Sequence, residues 1–306
     1  MTMTSRLYKG LEDFQQMRNL LIQNKNALPY SDYHVGDLNW WLFYDTTGSA
    51  HTEKVRLWEK EGQIVAWGWA NFHRSDYDLV VHHALQGSPE ESQIIDTMVN
   101  WLTEVTMSKP PQPDKPRQVA AYASKDEIRR IALLEAQGFI GKDYFVVFGQ
   151  DISADLPKPT LPEGFRFLDA MTPEYADERA AAHFDAFSPR SRMTGDYYRH
   201  LMTAPDYDPT LDIVTLAPDG KIAAYAMGWL DTANKISLYE PVGTRHEFHR
   251  QGLGKATLLE GLHRFKARGA KTALVSTWVE DHGNVTFYQA AGFTPINMIR
   301  TYTKTI

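Results

Sequence analysis

Apolar residues in the second half of the chain recur with two different periods. Between Leu253 and Phe265 they lie three and four residues apart, which predicts an amphipathic helix. Immediately before this helix, residues 236–239 are mostly apolar and β-prone, and the following Pro241 cannot donate a hydrogen bond to a ladder. Residues 236–267 are therefore predicted to form a strand, a loop and a helix.

The same order of patterns occurs twice along the chain. A glycine turn followed by a strand with a Gly-Trp pair occurs at residues 61–69 and at 219–229, and a helix end with Gly-Phe occurs at 134–139 and at 288–293. The two pairs of segments have the same order and nearly the same separation, so chance is a poor explanation. We interpret the chain as a duplicated domain of roughly 150 residues.

Each half is predicted to contain helices and strands in a similar order, which favours an α/β or α+β fold. Helices are expected at 11–24, 38–44, 89–105, 126–137, 173–187, 195–203, from 252 onward, and at 282–290. Strands are expected at 53–59, 63–72, 77–83, 118–122, 139–148, 165–168, 212–217, 222–230, 236–242, 272–279, and as two closing strands within 294–305. At the start of the third helix, Ser88 and Pro89 are the residue types that favour the N-cap and the first helical position.

The composition narrows the functional classes. Of the 306 residues 43% are hydrophobic, a share that supports well-packed globular domains. The chain contains no cysteine, which excludes disulfides, thiolate metal ligands and cysteine nucleophiles. The net charge of −6 gives no indication of nucleic-acid binding, and the eleven histidines include no helical pair that would predict a metal site. No apolar run has the length of a membrane span or signal peptide, so a cytoplasmic protein is expected.

The loop before the helix at 253–265 is predicted to bind an anion. Gly252 and Gly254 lie at the helix start, where several backbone N–H groups have no partner and the helix dipole adds positive charge. A pyrophosphate is the most plausible ligand for such a site. Two common phosphate loops do not fit, because His249 and Ala256 stand where a Walker loop needs Gly and Ser or Thr. A dinucleotide fingerprint needs a small residue where Thr257 stands.

Together with the preceding strand end, this loop resembles the acetyl-CoA-binding motif of the GNAT-type N-acetyltransferase superfamily. The resemblance rests on Val-Gly-Thr at 242–244 and on the two glycines with basic neighbours at 250–255. His249 departs from the Arg or Gln usual at its position. The resemblance implies acetyl-CoA as co-substrate, without a metal. It also implies these cofactor-binding residues: Val242, Gly243, Thr244, Arg250, Gln251, Gly252, Leu253, Gly254, Lys255 and Asn284.

The resemblance further implies the fold: two tandem GNAT-like domains, each with a mixed, mostly antiparallel central sheet flanked by helices. We expect the domains at 1–152 and 163–306, joined by a proline-containing linker at 153–162. The first domain is predicted to be degenerate, since Pro89 removes a donor and Glu90 and Glu91 would repel a pyrophosphate. It would then serve as a scaffold or as part of the acceptor pocket, and the second domain would be catalytic.

Two residues are candidates for proton transfer. Tyr288 resembles the tyrosine that protonates the leaving thiolate in this family, although a core aromatic is the alternative reading of its position. Glu240, at the end of the central strand, is a candidate base, acting directly or through water, although a structurally paired glutamate is an equal alternative. The family often has an asparagine at the position of Asp281, so either Asp281 or Asn284 would contact the cofactor. Candidate acceptor-binding residues are Asp185, Arg190 and Arg192, and tryptophans of the first half could form the pocket wall.

The resemblance predicts an N-acetyltransferase that acts on the amine of a small molecule or peptide by direct attack in a ternary complex. Two other functions stay open on the sequence: a non-catalytic acyl-CoA-binding sensor or scaffold, and an acyltransferase with another acyl-CoA or a non-amine acceptor. No nucleic-acid or membrane partner is expected. The sequence leaves the acceptor and the oligomeric state open.

Overall fold

The computed structural model describes residues 3–27, 33–44, 51–110 and 116–306. In chain order the strands are β1 (Thr4–Leu7), β2 (Val55–Lys60), β3 (Gln63–Asn71), β4 (Asp76–Val81), β5 (Gln118–Ser124), β6 (Ile140–Asp151), β7 (Arg166–Phe167), β8 (Asp212–Leu216), β9 (Ile222–Asp231), β10 (Ile236–Thr244), β11 (Thr272–Trp278) and β12 (Thr294–Thr305). The helices are α1 (Leu11–Ala27), α2 (Val35–Phe43), α3 (Pro89–Ser108), α4 (Ile128–Ala136), α5 (Ala176–Phe187), α6 (Gly195–Leu201), α7 (Leu253–Ala267) and α8 (His282–Ala290).

All twelve described strands form one sheet. Its order is β1-β2-β3-β4-β5-β12-β6-β11-β10-β9-β8-β7. The pairs β4–β5 and β10–β11 are parallel, and the other described pairs are antiparallel. The predicted α/β class with a mixed, mostly antiparallel sheet flanked by helices is confirmed. The chain order of strands and helices in the second half repeats that of the first half.

The two halves exchange strands at the centre of the sheet. The sixth strand of the second half, β12, lies between β5 and β6, and β6 lies between β12 and β11. Residues 145–151 of β6 therefore pair with 272–278 of β11, across the linker that was predicted over 153–162. The sheet does not divide at the linker, although the repeat does.

The strand exchange also corrects the prediction of two closing strands within 294–305. These residues form the single strand β12, with irregular register at Pro295 and again near Ile299. The place that a further strand of the second half would take, beside β11, is filled by β6. In addition, the short edge strand β1 was not predicted, because four residues contain too little alternation to indicate a strand.

Local sequence signals account for the helices that face the sheet. Ser88 caps α3 as predicted, with its hydroxyl accepting the Glu91 N–H at 3.2 Å, and the helix buries Ile94 and Met98 completely. Helix α7 buries Leu258 on the β8–β10 side of the sheet, and Gly252 is its N-cap. The apolar spacing that predicted α7 thus corresponds to its buried face.

Helix α2 of the first half packs on strands of the second half and so joins the two. A capping box fixes its start, with the Asp37 carboxylate accepting the His34 N–H at 2.7 Å and His34 Nδ1 accepting the Gly36 N–H at 3.0 Å. Burial lowers the pKa of His34 to about 4, so its ring is neutral. The Nε2–H of that neutral ring donates to the Ile236 carbonyl at 3.2 Å, which ties α2 to β10. This places α2 directly beside the strand that was predicted to carry the chemistry.

Candidate active site

The central feature of the site is a gap between the parallel strands β10 and β11. They pair only at residues 236–238 with 272–274. Beyond Leu238, β10 has an irregular register against β9 between Tyr239 and Val242, so it diverges from β11. The Trp229 indole N–H donates to the Glu240 carbonyl at 2.8 Å and fixes this irregular segment. The gap leaves unpaired strand edges, which can bind an extended ligand such as a pantetheine arm.

A cleft of about 470 Å³ lies at one end of this gap, at the start of α7. No side chain caps α7, and its first turn closes where the Ala256 N–H donates to the Gly252 carbonyl at 3.0 Å. The N–H groups of 253–255 therefore have no acceptor within the helix. The described residues lining the cleft are Ala186, Phe187, Val242, Gly243, Thr244, Phe248, His249, Arg250, Gly252, Leu253, Gly254, Lys255, Asp281, Asn284, Phe287 and Tyr288. The cleft fits a pyrophosphate by its free donors and its basic residues.

The loop before α7 is held in a left-handed conformation at two positions. Gly252 has φ 78° and Arg250 has φ 61°, and only glycine adopts such values without steric cost. His249 Nε2 lies 3.0 Å from the Thr244 carbonyl, and the Asp185 carboxylate accepts the His246 N–H at 2.7 Å. These contacts fix the loop relative to the end of β10 and α5.

Gly254 provides a direct test of this cleft. A Cβ at this position would lie 2.9 Å from Thr244 Oγ1 and 3.3 Å from the Phe287 ring, both of which line the cleft. We expect G254A to raise the Kd for CoA about tenfold or more, equivalent to about 1.4 kcal/mol, as measured by calorimetric titration. The matched control is G283A in α8, where a Cβ makes only an ordinary contact at 3.4 Å. Equal CoA affinity in wild type and G254A would contradict this assignment of the cleft.

The equivalent loop of the first half is occupied by a carboxylate of the protein itself. Glu91 is completely buried, and its side chain accepts the Gly87 N–H at the start of α3. Its other oxygen accepts from Arg130 Nε at 2.9 Å, and Arg130 also pairs with Glu127 at 2.8 Å. The backbone donor that an external anion would require here is thus already satisfied by Glu91, which the sequence had suggested as a charge that repels a pyrophosphate.

A second cavity, of about 330 Å³, lies at the centre of the sheet between the two halves. We call it the central cavity. Its lining residues in the first half are Tyr33, Asp37, Trp40, Trp41, Arg74, Asp78, Tyr122, Tyr144 and Phe145, and those in the second half are Phe187, Tyr239, Glu240, Pro241, Val242, Val275, Ser276, Thr277, Trp278, Asn284, Tyr288 and Ile299. The two exchanged strands β6 and β12 therefore both contribute to it.

The cleft and the central cavity meet at four residues: Phe187, Val242, Asn284 and Tyr288. Tyr288 is buried among the rings of Phe148 and Phe293, and its hydroxyl makes no hydrogen bond to any described residue. Burial, with the nearby Glu240 charge as a second cause, raises the pKa of Tyr288 far above its ordinary value. The hydroxyl thus keeps its proton over the working pH range, at the junction of the two spaces.

Glu240 faces the central cavity from the diverging part of β10. Its carboxylate has no hydrogen bond or ion pair with any described residue. Burial, followed by the charge of Asp37, raises the pKa of Glu240 to about 8. A carboxyl group with this pKa can take and release a proton near neutral pH.

Comparisons with known proteins agree with this geometry. The sequence profile described as the acetyltransferase (GNAT) family matches residues 172–293, which include the cleft and Tyr288. Residues 172–293 therefore form a GNAT acetyltransferase domain.

Individual relatives are similar over most of the chain. A mycothiol acetyltransferase from Nocardioides sp. is 23% identical over 262 residues, which cover 80% of this chain and 83% of that protein. Among solved structures, a GCN5-related N-acetyltransferase from Sphaerobacter thermophilus has a TM-score of 0.66 at 19% identity, covering 99% of this chain and 95% of that one. A tandem GNAT protein from the clavulanic acid biosynthesis pathway has a TM-score of 0.67 at 14% identity, covering 99% and 98%. These similarities extend the fold over both halves, and acyl-CoA-dependent acetyl transfer is the general activity of the family.

Most of the predicted cofactor residues line the cleft. Gln251 does not line the cleft; its side chain is exposed and donates to the Glu247 carbonyl at 3.4 Å. Gly243 lines the cleft, and a Cβ there would overlap the hydroxyl of the buried Tyr225. Packing beneath the strand therefore requires this glycine. Asp281 and Asn284 both line the cleft, and Asn284 Nδ2 donates to Asp281 Oδ2 at 2.9 Å.

None of the three predicted acceptor residues lines the central cavity. Asp185 binds the loop at His246, and Arg192 is exposed away from the cavity lining. Arg190 is nearest, with its guanidinium 4.9 Å from the centre of the Trp278 ring, which does line the cavity. Of the tryptophans considered as pocket walls, Trp40 and Trp41 line the cavity, whereas Trp58 and Trp67 are buried in the core of the first half.

Sequence reasoning missed the acidic side chains that the first half adds to the site. Asp37 lies on α2 and Asp78 on β4, and both face the central cavity. The only signals for them were Asp37 within the mostly apolar α2 and Asp78 beside Asp76 in β4, and neither has a characteristic spacing.

Metal-binding clusters and membrane-spanning helices are both absent from the described residues. Within 3–27, 33–44, 51–110 and 116–306, no cluster of three or more His, Cys, Asp or Glu side chains has a geometry that could hold a metal ion. Over the same ranges, no helix combines the length and apolarity required to cross a membrane.

Proposed function

We propose that the chain is an N-acetyltransferase that transfers an acetyl group from acetyl-CoA to the amine of a small molecule or peptide, by direct attack in a ternary complex. The observation that carries the proposal is the junction of the cleft with the central cavity. Tyr288 lies at that junction with a free hydroxyl, and Glu240 faces the same cavity with a free carboxylate.

The residues that line the cleft and the central cavity indicate which of them would hold acetyl-CoA and which would hold the amine. The cleft has the uncapped helix start and the basic residues, and it would hold the pyrophosphate of acetyl-CoA at the N–H groups of 253–255. Acetyl-CoA supplies the activated acetyl group when bound. The amine would then bind in the central cavity, and this cavity meets the cleft beside Val242.

Glu240 is the proposed base. An alkylamine with a pKa near that of lysine, about 10.4, is almost entirely protonated at neutral pH, so a proton must leave the nitrogen before or during attack. The Glu240 carboxylate, with its pKa raised to about 8, accepts that proton directly or through water. The absence of an ion pair to Glu240 among the described residues favours this role over a structural one.

Tyr288 is the proposed acid. Its raised pKa keeps the phenolic proton in place until a stronger base develops beside it, and the departing sulfur anion is such a base. The hydroxyl donates this proton, or a strong hydrogen bond, to the sulfur. Because Tyr288 lines both the cleft and the central cavity, it lies where acetyl-CoA and the amine would meet.

We further propose that residues 163–306 bind acetyl-CoA and that residues 1–152 act as a scaffold that completes the acceptor pocket. Glu91 at the start of α3 supports this division, because it occupies the loop where a second pyrophosphate would bind. The first-half residues that line the central cavity support the pocket role.

Turnover with a panel of primary amines tests the proposal. The release of CoA is measured with a thiol reagent, and the absence of cysteine from the chain removes the protein background. Acetylated amine, identified by mass spectrometry, would support the proposal. Tight CoA binding with no acetylated amine from any member of the panel would refute it.

Replacing Tyr288 with phenylalanine should separate catalysis from binding. We expect Y288F to lower kcat by about 10- to 100-fold, because general acid assistance is lost, with little change in the Kd for CoA. The matched control is Y175F, since the Tyr175 hydroxyl makes no hydrogen bond to any described residue and lies outside both spaces. An unchanged kcat in Y288F would remove Tyr288 from the mechanism.

A further inference from the structure

The central cavity contains more negative than positive charge. Its charged lining residues are Asp37, Asp78, Glu240 and Arg74. Arg74 is committed elsewhere, because its Nε lies 2.8 Å from Asp76 Oδ2 and its side chain is 57% exposed. The Lys25 charge acts on Asp37 and the Arg74 charge acts on Asp78, but burial still raises the pKa of each of the three carboxyl groups. A cationic ligand would therefore compensate the negative charge of the cavity.

Asp78 has a free acceptor that points to such a ligand. The strands β4 and β5 pair only at 76–77 with 120–121, so Asp78 follows the last residue of β4 that pairs with β5. Glu240 lies two residues beyond the last residue of β10 that pairs with β11. One Asp78 oxygen accepts from the Tyr33 hydroxyl at 2.9 Å, and the other has no partner among the described residues. Burial, followed by the charge of Asp76, raises the pKa of Asp78 to about 7, against the lowering effects of the Tyr33 hydrogen bond and the Arg74 charge.

Asp37 connects the two strand-borne carboxylates. Its charge acts on both Glu240 and Asp78, so it lies within electrostatic range of each. Its own carboxylate is partly satisfied by the His34 N–H at 2.7 Å, and Lys25 lowers its pKa against the larger effect of burial. The negative potential therefore extends from Glu240, through Asp37, to Asp78.

Aromatic faces line the same cavity as these carboxylates. Tyr122 stacks on Tyr144 with ring centres 5.4 Å apart, and Phe145 stacks on Trp278 at 5.5 Å. Such faces bind methylene groups by apolar contact and attract cations through their π-systems. The volume of about 330 Å³ corresponds to roughly ten water molecules, which limits the ligand to a short chain.

We propose that the acceptor is a compact diamine, an inference that rests on the proposed function. One nitrogen reacts beside Glu240, and Asp78 binds the second, cationic nitrogen at the first-half end of the cavity. In the transfer, the reacting nitrogen forms a bond to the acetyl carbon as the carbon–sulfur bond breaks. One proton passes from that nitrogen to Glu240, and the sulfur receives one from Tyr288, which regains it from Glu240 or solvent. The second nitrogen stays protonated and unchanged.

A matched set of acceptors tests the diamine with the wild-type chain. The set contains 1,4-diaminobutane, butylamine and 4-aminobutanoate, which share a reacting primary amine and differ only at the far end. We expect kcat/KM for the diamine to exceed that for butylamine by at least tenfold, with 4-aminobutanoate the poorest substrate. If butylamine or 4-aminobutanoate equals the diamine, the inference is wrong while the proposed function stands. If no amine of any kind is acetylated, the proposed function itself fails.

The variant D78N tests the position of the second nitrogen. We expect its KM for 1,4-diaminobutane to rise about tenfold or more, with kcat nearly unchanged and with butylamine kinetics unaffected. The control is D155N, an exposed aspartate outside both spaces. Equal losses for diamine and monoamine in D78N would overturn the assignment of Asp78.

A measurement on the unmodified protein covers the case in which D78N does not fold. N,N,N′,N′-tetramethyl-1,4-diaminobutane has two cationic centres and no transferable N–H, so it should inhibit wild-type turnover competitively against the amine. Butyltrimethylammonium, with one charge, should inhibit at least tenfold more weakly. Equal inhibition by the two compounds would overturn the inference.

Discussion

Glu240→Gln should lower kcat/KM for amine acetylation by about 10²- to 10⁴-fold, the usual contribution of a positioned general base. The amide has nearly the same shape as the carboxyl group but cannot accept the proton from the amine. Because Glu240 lines the central cavity and not the cleft, the Kd for CoA should stay unchanged. Steady-state kinetics and calorimetric titration together check both parts of this expectation.

The pH dependence of kcat/KM should show the titration of Glu240. With a pKa of about 8 in the free enzyme, Glu240 is ionised above pH 8 and protonated below it. The base form is the active one, so kcat/KM should fall about tenfold per pH unit below pH 8 and level off above it. The amine titrates as well, and E240Q separates the two effects, since the limb near pH 8 should disappear while the dependence on the amine remains. A wild-type profile with no group between pH 7 and 9 would contradict the assignment.

Stability supplies a control for the folding of this variant. The ordinary pKa of glutamate is 4.5, and the folded state raises it to about 8, so rising pH between these values ionises the unfolded chain first. The wild type should therefore lose stability over this range, and E240Q should be the more stable protein at pH 9. The difference should be roughly 1–3 kcal/mol, below the full 1.36 kcal/mol per pKa unit because the cavity admits water. The exposed E104Q, outside both spaces, should change neither activity nor stability.

Residues 163–306 expressed alone should fail to fold, although they contain the family match. Without β6, both β11 and β12 lose an antiparallel neighbour, and β12 also loses β5. The completely buried Phe148 of β6 packs against Tyr288, and the completely buried Tyr302 of β12 packs in the core of the first half. Exposing these faces and edges should give an aggregating or molten chain without cooperative thermal unfolding.

Co-expression of 1–152 with 163–306 is the complementary experiment. The two pieces should associate by the same strand exchange and regain CoA binding. A second control is the full chain cleaved within the mostly exposed 153–162 segment, which should stay associated and active. A monomeric, cooperatively folded and active 163–306 fragment would show that the exchange is dispensable.

Local sequence patterns were sufficient to predict the helices and the glycine loop at the start of α7. The spacing of Leu258 and Phe265, the capping residue Ser88 and the glycines at 252 and 254 each act within a few neighbouring residues, and the structure places them as predicted. The repeat at nearly constant separation predicted the duplicated order of elements. These features depend on short-range physics, which a single sequence contains.

The strand exchange and the central cavity were not predictable in the same way. Strands β6 and β12 have similar lengths and similar alternation, so nothing local decides which half each one pairs with. Asp37 and Asp78 become part of one site only when α2 and β4 come together with β10 around the central cavity. Gly243 was recognised as important, but its contact with Tyr225 depends on the packing beneath the strand.

The position of β12 has a consequence for the order in which the protein can acquire its structure on the ribosome. A chain emerges from its N-terminus, and domains usually fold as each one is completed. Here the first half lacks the neighbour between β5 and β6 until residues 294–305 have been synthesised. The nascent chain must therefore keep two open strand edges from pairing wrongly during most of translation. Chaperone dependence during synthesis, and sensitivity to synonymous changes in translation speed, are the phenotypes that this topology leads us to expect.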